Sequence, residues 1–233
     1  MARTMKYISL IPLLSVLILA LAATTETLDG LLAFRVIRYF LQFGAPLLLL
    51  IGIILFFRSQ RETSAWYFIN GLVGIAIIGT LFYKAHSYPM INDYTSDLNQ
   101  PPTFQALQAL SANKDRDMTF PQENVALIQN FFPEQLSIKT NKDRTEVFEK
   151  VKSQIENNQW QLIGSDLTEG TIEAVVTSSI FKFKDDFIVR LKNNPDGTLR
   201  IDFRSKSRVG KSDLGAKLKR IQNFKKDLET SLK

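Results

Sequence analysis

Apolar and polar positions divide this chain into two unlike halves. Up to about residue 86 the sequence is dominated by three apolar runs, Tyr7–Ala23, Phe40–Phe57 and Ala65–Tyr83. Each is close to the roughly 20 residues that a helix needs to cross a bilayer, and aromatic residues mark the ends of the third. Beyond that point the apolar residues become periodic. Val147, Val151 and Ile155, with Phe148 alongside, fall at helical spacing behind Asp143 and Glu146, which form a capping box. A helix is predicted from there to Asn157-Asn158, and a shorter one after Phe120-Pro121.

Strands are expected at Trp160–Asp166, Thr171–Ser179, Asp186–Lys192 and Leu199–Ser205, with Asn193–Gly197 as the turn between the last two. Alternation places Ile172, Ala174 and Val176, then Phe187, Val189 and Leu191, then Leu199, Ile201 and Phe203 on one face. Glu173, Arg190, Arg200, Asp202 and Arg204 fall on the other. A register that sets Glu173, Arg190 and Asp202 in one row avoids facing Arg190 with Arg200, and is preferred on that ground. The last helix is predicted to start at Ser212 as N-cap, with Leu214, Leu218, Ile221, Phe224, Leu228 and Leu232 as its buried stripe. Gly215 early in that helix predicts close approach to a neighbouring backbone.

The architecture that follows is α+β: N-terminal transmembrane helices, then a two-layer antiparallel sheet with helices packed on one face. Three regions are expected: a membrane region over 1–86 with two or three helices (about 7–23, 40–57 and 65–83), an extended linker over 87–118 marked by Pro89, Pro101 and Pro102, and a folded domain over 119–233.

Charge gives the membrane region a direction. Arg3, Lys6, Arg58 and Arg61 are expected on the inner side, which puts everything from Lys84 onward outside the cytoplasm, at a cell or thylakoid-type membrane. Arg35 and Arg38 run against that rule and are assigned to an interfacial amphipathic segment, Leu28–Tyr39. The first run, ending in Ala20-Leu21-Ala22, fits a retained anchor and a cleaved signal peptide alike. Asn70, an amide inside the third run, is expected either to hydrogen-bond a neighbouring helix or to lie near the interface. The spans hold no acid–base pair on which pump or channel chemistry could run.

Composition removes several functions. Among 233 residues there is no cysteine and one histidine, His86, so disulfides, thiolate nucleophiles and Cys-based zinc sites are excluded, and Ser–His catalysis has no seat in the polar half. The net charge of +6 is not gathered with aromatics, so nucleic acid is not an expected partner. No metal and no cofactor is expected.

Two sets of polar residues remain. Arg204, Arg208, Lys211 and Ser212 sit where a strand passes into the last helix, and unpaired amides plus basic side chains there favour an anionic group. Asp202, Asp213 or Glu173 compete for the same arginines as structural ion pairs. The loop Ser205–Ser212 has the shape of a phosphate-binding loop, but it puts serine where that motif needs glycine and lies in an antiparallel context. The second set is acidic: Glu173, Asp185, Asp186 and Asp202 would suit a divalent cation or acid–base work, yet Lys184, Arg190 and Arg204 are interleaved with them. Glu173, Asp186, Arg190 and Asp202 therefore read as an ion-pair row or, alternatively, an acidic site. Asp93 and Asp97 read as turn caps.

The segment INDYTSDLNQPPTF (Ile91–Phe104), Ile172-Glu173-Ala174, Phe183–Asp186, and Asp202–Gly215 leading into Arg220-Ile221 together resemble the bacterial and plastid family catalogued as domain of unknown function 1499. The resemblance covers roughly Pro89 to the C-terminus and implies export or membrane anchoring, with no assigned activity. It departs at Asn92, where the family often has histidine, and at Lys217, where it usually has asparagine. The leading expectation is a membrane-anchored extracytoplasmic binding or scaffolding domain for an anionic ligand or lipid headgroup. A hydrolase or metal-dependent enzyme using Glu173, Asp186 and Asp202, and a structural subunit contacting membrane proteins through an exposed polar sheet face, are the alternatives.

Overall fold

The computed structural model describes residues 7–58, 61–132 and 136–233, which form two units. Arg3 and Lys6 lie outside the described residues. The first unit comprises residues up to Ser87 with Ser178–Phe183, and the second the remainder from Tyr88.

In the first unit, helix α1 spans Ile11–Thr24. Its 14 residues make about 21 Å, short of a hydrocarbon core of about 30 Å. Helix α2 is continuous from Gly30 to Phe57, passing through a π-helical turn at Phe40–Gly44. The amphipathic segment expected as a separate interfacial piece is thus its first part, begun by Asp29, whose carboxylate accepts from the Leu32 amide. Helix α3 runs Arg61–Ser87. Two stretches, Gly30–Phe57 and Arg61–Lys84, are long and apolar enough to cross a membrane, with 28% and 22% of their most apolar windows buried. That low burial sets them apart from the core helices of a globular fold, since most of their apolar side chains face outward. Asn70 is buried; its Nδ2 donates to the Trp66 carbonyl at 2.7 Å and to Ser9 Oγ, in the turn before α1, at 3.3 Å.

The second unit is built on six strands: β1 Asp93–Thr95, β2 Ile138–Thr140, β3 Gln161–Asp166, β4 Thr171–Thr177, β5 Lys184–Asn193 and β6 Leu199–Ser207. All pairings are antiparallel, in the order β1-β6-β5-β4-β3, and β2 shares the β6 edge with β1. Helices α4 Glu123–Phe131, α5 Arg144–Asn157 and α6 Ala216–Ser231 cover one face. Asp143 caps α5 by accepting from the Thr145 and Glu146 amides; those bonds, Glu146 first, hold its carboxyl below the usual range. The core under the helices joins Val147, Val151 and Ile155 to Phe187, Phe203, Ile221 and Phe224, with Trp160 stacked on Phe224. Its three apolar rows are those read from the alternation.

Four expectations are corrected. Residues 87–118 are not a linker: β1 pairs with β6, and Phe104, Leu107 and Met118 pack with Val175 and Ile188 on the second face of the sheet. The polar face is therefore not open for a partner, because this segment covers it. The last helix begins at Ala216, not Ser212. Leu214 and Gly215 take left-handed conformations (φ 52° and 80°), and Asp213 supplies the cap by accepting from the Gly215 and Lys217 amides. The close approach at Gly215 is to the Tyr88 ring, which a Cβ there would overlap, and not to the neighbouring backbone that was expected.

Candidate functional site

Charge on the second face is governed by register. Arg190 faces Asp202, as like-charge avoidance demands, while Glu173 faces Ile188 and Asp186 faces Lys206. The expected three-residue row is thus half formed. Glu173 has no need of an arginine: its carboxylate accepts the backbone amides of Gln105 and Leu107 at 2.8 Å and of Ala106 at 3.1 Å. One buried side chain in this way fastens the covering segment to the sheet.

Arg204, expected on an accessible rim, is 1% exposed. Its Nε and Nη2 donate to both oxygens of Asp93 at 3.0 and 2.8 Å, and Nη1 and Nη2 reach the carbonyls of Pro102 and Met118 at 2.9 Å. The guanidinium lies 4.6 Å from the Phe104 ring centre and 5.4 Å from that of Phe120. Four of five N–H donors are thereby engaged inside the fold, which removes Arg204 from the anion-binding set. Lys206 also donates to Asp93, at 2.9 Å.

A second group gathers Asp97, Arg190, Asp202 and Arg200. Arg190 Nη2 donates to Asp97 at 2.9 Å and to Asp202 at 2.7 Å, and Asp202 further accepts from Ser137 and Arg200. Arg200 lines a hollow of about 480 Å³ with Asp97, Ile128 and Phe132. In a third group Asp186 is buried and receives Arg116 on one oxygen at 2.8 Å and Arg208 on the other at 2.7 and 2.9 Å. Two guanidinium groups share this carboxylate. Lys211 is exposed and has no ion-pair partner among the described residues; Ser212 Oγ accepts from the Leu214 amide. The basic corner thus splits into a consumed member, Arg204, and a partly free one, Arg208 with Lys211.

The acidic alternative loses its geometry. Glu173, Asp186 and Asp202 are each engaged by their own donors, and no group of three or more His, Cys, Asp or Glu among the described residues is placed to hold a metal ion.

On the helix-covered face, Asp185 accepts from Arg220 at 2.7 Å and Ser207 at 3.0 Å, and buried Lys217 lies 3.2 Å from Asp185 and 3.3 Å from Asp213. The nearby Tyr94 hydroxyl is buried with no hydrogen-bond partner among the described residues. Burial, then the charge of Asp213 and the neighbouring Tyr88, push its pKa far above the ordinary tyrosine value. Because the folded value is raised, this group's share of stability is intact below the unfolded pKa of about 10 and is lost as pH rises beyond it. Tyr94→Phe is therefore expected to gain up to about 1 kcal/mol at pH 8, by removing an unsatisfied hydroxyl, and to lose less stability than the parent between pH 8 and pH 11. Urea titrations at the two pH values check both; a loss above 1 kcal/mol at pH 8 would show that the hydroxyl is satisfied.

The residues that sequence reasoning missed are chiefly Asp93, Asn113 and Arg116, all from the segment read as a linker. The signal for Asp93 lay in the segment Ile91–Phe104, which carries part of the family resemblance; Asn113 and Arg116 lie outside it. Both departures from that family's pattern sit beside the basic loop: Asn92 Nδ2 donates to the Gly210 carbonyl, Asn92 O accepts from the Ser207 amide, and Lys217 is the buried cation just described. No curated protein matches the chain. The model of the family described as "Protein of unknown function (DUF1499)" matches residues 93–228, a span that starts with β1 and ends within α6. The chain belongs to that family.

Proposed function

We propose that the protein is a multi-pass, membrane-anchored module whose C-terminal domain stands on the extracytoplasmic side and binds an anionic group at Arg208 and Lys211, with Arg116 beside them. The group is a phosphate, carried by a lipid headgroup or free. The observation that carries this reading is the imbalance at Asp186, one carboxylate between two guanidinium groups, next to exposed Lys211 on the same loop. Asp117, exposed on the covering segment, accepts from the Thr119 hydroxyl and amide. Asn92 ties the loop to the chain five residues after Ser87, where α3 ends. A basic residue near an anionic membrane surface contributes about 1 kcal/mol, so Arg208 and Lys211 together favour such a surface modestly and in a salt-dependent way. Arg58 and Arg61, between the two long apolar stretches, support the extracytoplasmic side, and Arg35 and Arg38 near the other end of α2 oppose it.

Native mass spectrometry of the detergent-solubilised full chain tests the anion site with phosphatidylglycerol, phosphatidylcholine and inorganic phosphate in separate arms. Retention of phosphatidylglycerol over phosphatidylcholine is expected, reduced several-fold in Lys211→Gln and further in Lys211→Gln with Arg208→Lys. Retention of inorganic phosphate with no lipid preference would assign the site to a free anion. Equal lipid retention and no phosphate adduct contradict the proposal.

A further inference from the structure

We infer that α4 is a second membrane contact of the domain, lying along the lipid interface of the chain's own membrane with Leu127 and Phe131 turned into it. The inference rests on the membrane anchoring proposed above and uses residues outside the basic loop. Helix α4 buries Asn124 and Ile128 against the domain, the Asn124 side chain donating to the Asp93 carbonyl. Leu127 and Phe131, spaced four residues apart, are 37% and 45% exposed, so an apolar stripe faces away from the core.

The position of this stripe along the chain identifies the occupant. Phe132, the residue after α4, stacks on Tyr88 at 5.9 Å, and Tyr88 is the residue after α3. Residues 88–93 thus run alongside α4 in the opposite sense, from Phe132 at one end to Asn124 at the other. Met90 lies between those two points and is 72% exposed, whereas its neighbour Ile91 is buried in the core. An unbranched apolar side chain held in water this close to the end of a membrane helix matches the interface that the helix must cross. Along the chain Met90 is only three residues beyond Ser87, where α3 ends, and the Phe131 end of α4 packs beside Tyr88 through Phe132. The mixture of apolar stripe and flanking amides (Gln129, Asn130) suits a helix lying in the headgroup region, with its apolar side immersed and its polar side wet.

Because the chain has no cysteine, single labels can be placed cleanly. The full chain is reconstituted into vesicles as Phe131→Cys, Leu127→Cys or Lys152→Cys, each carrying an environment-sensitive fluorophore. Flotation of the vesicles is followed by quenching with nitroxide-bearing lipid and with aqueous iodide. Blue-shifted emission and at least threefold stronger lipid quenching at 127 and 131 than at 152 are expected. Floating chain with aqueous emission and iodide quenching at 131 equal to that at 152 overturns the inference and leaves the anchoring intact. A blue shift without lipid quenching that vanishes on dilution in excess lipid also overturns it, assigning the stripe to a second copy of the chain. Chain that does not float overturns the anchoring and the inference together.

Discussion

Arg204→Ala is expected to destabilise the domain by about 3–5 kcal/mol, among the largest effects of any single substitution in the chain. The loss has little to do with attraction between surface charges. Arg204 and Asp93 are both buried, and removing the guanidinium leaves Asp93 with Lys206 as its one remaining cation among the described residues, while the Pro102 and Met118 carbonyls lose a donor. It also opens the space between the Phe104 and Phe120 rings. Asp93→Asn is expected to cost less than Arg204→Ala, since an amide keeps one acceptor for the arginine. The double variant Asp93→Asn with Arg204→Met should be less destabilised than the sum of its singles by about 0.5–3 kcal/mol, because the groups form one network. Urea unfolding followed by Trp160 in a Trp66→Phe background measures this. Additive losses, or an Arg204→Ala cost below 1 kcal/mol, would show that the pair is not the anchor of the covering segment.

Gly215→Ala is expected to be the second large effect. The φ of 80° at this position is ordinary for glycine and costs about 1–3 kcal/mol for other residues. Leu214 before it is already left-handed, so the turn into α6 has no neighbouring residue able to absorb the change. A Cβ at 215 would also overlap the Tyr88 ring, which must move and disturb its stacking on Phe132. The same urea assay should show a loss above about 2 kcal/mol from these two causes together. Gly215→Ala with Tyr88→Ala should recover the clash and not the backbone cost, so its loss falls short of the sum of the singles. A neutral Gly215→Ala would mean that the turn is free to rearrange.

These effects show where the fold was legible in the sequence and where it was hidden. The alternation of Phe187, Val189 and Leu191 and of Leu199, Ile201 and Phe203 encodes its own burial, and so does the stripe from Leu218 to Leu232 on α6. Asp143 announces α5 because its cap is three residues long and local. The segment from Tyr88 to Met118 has no comparable period. It is held by bonds between residues far apart in the chain, such as Arg204 with Asp93 across 111 positions and Glu173 with the amides of 105–107. Local pattern carries no record of such pairings, and a proline-rich stretch with scattered apolar residues reads as a linker. The same blindness placed Arg204 on an anion-binding rim. Alternation correctly put it on the face away from the helices, but a face polar in sequence turned out to be covered.

The side on which the domain stands is settled by two single-cysteine variants in intact cells. Lys233→Cys lies at the exposed C-terminus, and Arg61→Cys at the start of α3, in a chain that otherwise has no thiol. A membrane-impermeant maleimide should label Lys233→Cys without permeabilisation and Arg61→Cys only after it. Labelling of Arg61→Cys in intact cells, with Lys233→Cys protected until the membrane is opened, would contradict the extracytoplasmic domain.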